Sequence, residues 1–154
     1  VAFGIDPAAA MLGYARARGV NAIRAVAEAL PFANAVFDYA LIVTTVCFVD
    51  DPAAMLCEAA RVLKPGGALV IGVIDRDSPL GQHYLAHQAE SVFYREARFV
   101  SADELAQLLP AVGFSILEWA QTLLRPLAQT VDIEPVRPGR GTGALIVVAA
   151  RNEK

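Results

Sequence analysis

Three short runs constrain this chain most: "FDYALIVTT" (37–45), "ALVIGVI" (68–74) and "ALIVVAA" (144–150). They are almost wholly apolar, without the polar alternation of a half-solvated strand. Strands buried on both faces look like this, which predicts a mainly parallel sheet covered by helices. Further strand-like runs are "VAFGI" (1–5), "AIRAV" (22–26) and "FSILEWAQTLL" (114–124). Helical stretches are expected between the first four strands, an α/β pattern.

The helix signals support this reading. In "DPAAAMLGYARARG", Asp6 can cap, Pro7 suits the first turn and Gly19 stops the helix. In "DDPAAMLCEAARVLKPGG", Asp51 caps and Pro52 starts; Met55, Leu56, Ala59, Ala60 and Leu63 share a face. In "SADELAQLLPAVG", Ser101 and Glu104 make a capping box, and Leu105, Leu108, Leu109 and Val112 form the apolar stripe. Pro110 predicts a kink or an early end there. Residues 76–100 are aromatic and mixed in charge, and read as a partly helical insertion on the substrate side. Residues 125–142 are a Pro/Gly-rich loop joining two strands with no helix between them, so those strands should pair antiparallel. One domain is expected over 1–154.

Composition excludes several classes. Hydrophobic residues make up 56% and charged ones 19%, which argues against disorder. The formal charge is −3 with no basic run, so nucleic acid is not expected as a partner. No apolar stretch reaches the ~18 residues of a membrane span. No basic-then-apolar stretch resembles a secretory leader, and Cys47 and Cys57 sit in apolar company without metal-ligand spacing. A cytoplasmic protein is the expectation.

Asp6 ends the first strand-like run. At that place in a dinucleotide-type fold a carboxylate accepts hydrogen bonds from ribose hydroxyls; equally, an Asp before Pro caps a helix, and one carboxylate can do both. Beyond Asp6 come "VAEALPF" (26–32), "FD" (37–38) and "RVLKPGG" (61–67), then the closing antiparallel pair. In this order and spacing the chain resembles a class I S-adenosylmethionine-dependent methyltransferase of the small-molecule type, with its Rossmann-like fold. The resemblance implies that Asp6 binds the ribose of S-adenosylmethionine and that Met11 packs near the adenine. Ala27 and Glu28 would meet the adenine edge, and Val43, Thr44 and Thr45 would hold the methionine portion.

Two departures accompany the resemblance. Val26 stands where the family often has an Asp that accepts from the adenine amino group, and Glu28 is the nearest substitute. The family's first strand and its "G-x-G-x-G" loop, which lets backbone approach the cofactor, have no equivalent within the 154 residues. The expectation is therefore a truncated domain, with cofactor binding by this chain alone in doubt. That strand lies between the family's counterparts of "VAFGI" and "FDYALIVTT", which are then expected to pair directly or to share their edges with a second copy.

The polar residues after "ALVIGVI" fall at the carboxyl end of the sheet, where ligands collect. Asp75 and His83 are the candidate catalytic groups, with Arg76 as an orienting group and Tyr84 and Tyr94 as lining. His83 also reads as a surface helix histidine. His87 shares its face but no third metal ligand is evident, so no metal is expected. Arg95 and Arg98 could receive a carboxylate, though pairing with Glu90 or Glu96 is the simpler role. Two other classes compete: a catalytically inactive Rossmann-like module that associates through exposed sheet edges, and a nicotinamide dehydrogenase fragment, against which "LPF…FD…RVLKPGG" argues.

Overall fold

The computed structural model describes residues 2–154; Val1, the first residue of "VAFGI", lies outside the described residues. The elements run β1 (Phe3–Asp6), α1 (Ala9–Ala17), β2 (Asn21–Arg24), β3 (Phe37–Val43), α2 (Pro52–Val62), β4 (Leu63–Ile74), α3 (Pro79–Ala86), α4 (Ala102–Ala111), β5 (Phe114–Thr122), β6 (Arg137–Pro138) and β7 (Leu145–Asn152). The α/β, Rossmann-like architecture and the antiparallel carboxyl-terminal strand are as expected.

The strands form two sheets, not one: β1 and β2 pair in parallel, and a five-stranded sheet runs β3-β4-β7-β5-β6. β3 and β4 are parallel, and β7 inserts antiparallel between β4 and β5. β1 does not pair with β3, so the direct closure expected above does not occur. An aromatic cluster bridges the two sheets. Phe32 lies 5.6 Å from Phe3 and 4.9 Å from Phe37, and Phe3 and Phe37 are 6.2 Å apart. Because Phe3 opens β1 and Phe37 opens β3, the sheets abut at the amino ends of these strands.

The expected helix between β2 and β3 is absent; residues 25–36 form turns. Pro31 breaks helical bonding, and the segment's backbone finds partners on α2 instead. Glu58 Oε2 accepts from the Leu30 N–H (2.7 Å). Arg61 Nη1 donates to the Phe32 carbonyl (2.7 Å), and Nη2 to the Leu30 carbonyl (3.0 Å). Arg61 also pairs with Glu58 at 2.6 Å. The "LPF" and "RVLKPGG" segments are thus bonded to each other through this arginine.

One helix end differs from expectation and one follows it. α1 starts at Ala9, after Ala8 as N-cap, which leaves Pro7 outside it. Asp6 Oδ1 accepts from the Ala8 N–H at 2.7 Å, so its side chain closes the turn into the helix without occupying the cap position. α4 continues through Pro110 and ends one residue later. A proline in the last turn removes one donor only, and the Val112 N–H still bonds to the Leu108 carbonyl at 3.2 Å.

The main core lies on one face of the five-stranded sheet, where Met55 and Leu56 of α2 and Leu105 and Leu109 of α4 meet Leu69, Ile71, Ile146 and Val148. The other face begins with Tyr39, Leu41 and Val43, 79%, 71% and 51% exposed. They align with Ala68, Val70 and Gly72 on β4. α1 packs on the two-stranded sheet, where Leu12 is buried.

Candidate functional site

The carboxyl ends of the parallel strands converge on one end of the molecule. Glu28, after β2, reaches the loop after β3: its Oε1 accepts from the Asp50 N–H at 2.8 Å and more weakly from the Asp51 N–H at 3.4 Å. Asp51 in turn accepts from Ala53 and Ala54 at the start of α2 (2.9 and 3.0 Å). The start of α2, the β2 exit and the β3 exit are therefore one bonded unit.

Asp6 sits half-buried at the end of β1. Its Oδ1 is engaged by Ala8, and Oδ2 has no partner among the described residues. Met11 is 52% exposed, on the first turns of α1 and outside the core. Ala27 packs against the core edge. At the end of β3, Val43, Thr44 and Thr45 are all exposed. Thr44 has φ +49°, a left-handed conformation that costs a β-branched residue energy. Its N–H donates to the Gly72 carbonyl at 2.8 Å, which holds the strained turn on β4.

After that turn the chain coils into a short 3-10 turn, Val46–Phe48, instead of extending the strand. This turn and the segment beyond β4 enclose a cleft lined by Thr44, Cys47, Val73, Ile74, Tyr94, Phe99 and Val100. Counting its open mouth it holds about 290 Å³, but its enclosed space, about 20 Å³, has room for about one water-sized group. None of the lining side chains is charged. Burial pushes the Cys47 thiol up, and burial is also the first cause raising the Tyr94 phenol, so both stay protonated near neutral pH.

The other expected groups are spent elsewhere. Asp75 is buried, and its Oδ1 accepts from the Asp77 and Ala102 N–H groups, both at 3.2 Å, which fixes the start of α4. Arg76 pairs with Glu104 at 2.7 Å and Asp77 at 3.2 Å. His83 is exposed on α3 with its ring 4.4 Å from that of His87. His87 Nδ1 lies 2.9 Å from the His83 carbonyl, which only an Nδ1–H can satisfy. Among the described residues no three His, Cys, Asp or Glu side chains gather to hold a metal. Arg95 and Arg98 are exposed, and neither pairs with Glu90 or Glu96 among the described residues, contrary to the simpler role expected.

Sequence reasoning missed Phe48, Phe99 and Gln88. Gln88 Nε2 donates to the Tyr94 and Ala97 carbonyls at 2.9 and 2.5 Å, and the Arg98 N–H donates to the Cys47 carbonyl at 2.7 Å. These bonds bolt the 91–100 segment onto the turn after β3.

Comparison with known proteins bears on this geometry. A methyltransferase-domain family model matches residues 1–71. A solved S-adenosylmethionine-dependent methyltransferase from Thermotoga maritima, a possible histamine N-methyltransferase, is 44% identical with TM-score 0.93, over 97% of this chain and 72% of that one. An uncharacterised Mycobacterium tuberculosis protein is 44% identical over 94% of this chain and 51% of its own length. An O-methyltransferase from Pyrenophora dematioidea is 32% identical over 74% of this chain and 43% of its own. The chain thus spans about half the length of these two relatives. With its strand order, its acid after β1 and its match to the Thermotoga enzyme, the chain belongs to the S-adenosylmethionine-dependent methyltransferases.

Proposed function

We propose that this chain carries the nucleoside-binding side of a methyltransferase acting on a small molecule. The observation that carries this reading is Asp6: half-buried at the carboxyl end of a parallel strand, with one oxygen closing the turn and the other without a partner among the described residues. A carboxylate with an oxygen to spare suits a ribose diol. Glu28 keeps Oε2 for an amino group, since Oε1 is taken by the backbone after β3. The exposed turn Val43–Thr45 would hold the amino-acid portion, and the exposed Met11 would pack near the adenine. When bound, S-adenosylmethionine supplies an electrophilic methyl group on a sulfonium. The protein's task is to place an acceptor in line with it and keep water away.

Calorimetry with S-adenosylhomocysteine and with NAD tests the reading. Binding of the first and not the second is expected, and Asp6→Ala should weaken it at least about tenfold, the loss of a charge-assisted hydrogen-bond pair. Unchanged affinity in that variant would leave Asp6 a turn residue only.

A second reading is favoured by the open face at Tyr39, Leu41 and Val43 and by the edges of β1 and β3, which have no strand partner among the described residues. It is an inactive module that associates through its sheet. Light scattering separates the two: a monodisperse monomer that binds S-adenosylhomocysteine excludes it.

A further inference from the structure

We propose that Arg24 is a positioning residue of the nucleoside site: from β2 it holds the Pro7 carbonyl, and so fixes the turn that presents Asp6. This rests on the ribose reading of Asp6 given above and goes beyond it in naming the side chain that orients it.

Asp6 and Arg24 are the last residues of β1 and β2, and they are partners in register. Directly paired residues of neighbouring strands send their side chains to the same face of a sheet. An exposed arginine opposite an aspartate at two strand ends is set for an ion pair. None forms: among the described residues Arg24 pairs with no carboxylate. Its Nε donates instead to the Pro7 carbonyl at 3.1 Å, one residue past Asp6. An ion pair would have occupied Asp6 Oδ2, the oxygen without a partner among the described residues; the bond to Pro7 leaves it for a ligand.

The Pro7 carbonyl has no other partner among the described residues. The first carbonyl bonded from within α1 is that of Ala8, which accepts from the Leu12 N–H at 3.2 Å. The carbonyl of Pro7 and the N–H of Ala8 belong to one peptide unit, which is planar and rigid. Arg24 grips its oxygen, and Asp6 Oδ1 grips its N–H at 2.7 Å. Releasing the oxygen lets the plane swing about the Pro7 ψ angle, and the Asp6 carboxylate loses the N–H that aims it. Arg16 makes a similar bond at the other end of α1: its Nε and Nη2 donate to the Ala22 carbonyl at 3.2 and 2.8 Å. That bond holds the same β1–α1–β2 unit but does not touch the Asp6 turn, so Arg16 separates a general stitching role from a positioning one.

Arg24→Gln and Arg24→Met test the proposal. Glutamine carries Nε2 as far along its side chain as arginine carries Nε, so it keeps the donor and loses the charge. Methionine keeps the length and loses both. Amide–water exchange followed by NMR in the ligand-free chain reads the peptide directly. The Ala8 N–H should exchange about fivefold faster in Arg24→Met, the loss of one net hydrogen bond, and at the parent rate in Arg24→Gln. Titrations with adenosine and with 2′,3′-dideoxyadenosine, which lacks the diol, then read the site. The preference for adenosine should fall about fivefold in Arg24→Met and hold in Arg24→Gln and Arg16→Met. An equal fall in Arg24→Gln would mean that the charge itself acts on the ligand, and overturns the positioning role. Parent-like exchange of Ala8 in Arg24→Met overturns it too, as does an equal fall in Arg16→Met. A parent chain without the preference, or an Asp6→Ala chain that keeps it, refutes the ribose reading and with it the place of Arg24 in a nucleoside site. The exchange rates, measured without ligand, show that failure apart from a failure of the clamp.

Discussion

At the scale of single residues, the most informative side chain is Arg61. In the sequence it is one letter of a seven-residue segment; in the structure it binds Glu58 and two carbonyls of the 30–32 turn. Glu58 is held below the ordinary carboxylate range, first by its hydrogen bond from Arg61, with the Leu30 N–H and the charge of Arg61 adding to this and burial opposing it. A carboxyl whose folded pKa lies below its unfolded value stabilises fully above about pH 4.3, and this is lost as pH falls through the folded value. Glu58→Gln should therefore cost about 1–2 kcal/mol at pH 7. The gap between variant and parent should close as pH approaches 3. Urea unfolding at the two pH values checks this; a gap that stays constant would mean the glutamate acts by shape and not by charge.

At the scale of elements, two glycines in helices make opposite predictions. Gly13 of α1 would place a Cβ in open space, so Gly13→Ala should stabilise by about 0.5–1 kcal/mol. Gly81 of α3 would drive its Cβ into the Asp75 carbonyl, and to 2.7 Å and 2.8 Å from the Arg76 carbonyl and Cα. Backbone cannot step aside as a side-chain tip does. Gly81→Ala should cost about 1–3 kcal/mol and loosen the start of α3, where Ser78 Oγ bonds both the Gly81 N–H and the Asp75 carbonyl. Paired urea curves decide both signs. The same contrast explains what the sequence revealed. Apolar periodicity located β3, β4, β5 and β7, α2 and the stripe of α4, because burial imposes period and composition together. The helix expected between β2 and β3 failed because its backbone partners, Glu58 and Arg61, are about thirty residues away, and no local pattern records them. The turn at Val46–Phe48 was hidden for a related reason. "TTVCFV" has strand composition, but Thr44 turns left-handed, so Phe48 meets Tyr94 and does not extend the sheet. Asp6, Glu28 and Thr44–Thr45 were legible as motif letters, while the aromatic cluster needed the fold to bring 48, 84, 94 and 99 together.

At the scale of the whole molecule, the two sheets leave the outward edges of β1 and β3 without strand partners among the described residues. The face carrying Tyr39, Leu41 and Val43 continues across β4 and β7 through Val70 and Ala149, which align with Leu41 in register. An unpaired edge next to an apolar face favours association, because both the ladder hydrogen bonds and the apolar area find partners in a second molecule. Leu41 is 71% exposed in the single chain, so replacing it removes little intramolecular burial. Leu41→Lys should change the unfolding free energy by no more than about 0.5 kcal/mol, the usual range for a surface site. On an edge strand the added lysine should also lower the weight-average mass seen by light scattering at high protein concentration, since pairing a second strand there would bury its charge. The opposite pattern, a loss of about 1.5–3 kcal/mol with no change in mass, is what full burial of a leucine would give. That outcome would show the face to be covered within one molecule, and the two-sheet arrangement would then have to close over β3 in solution.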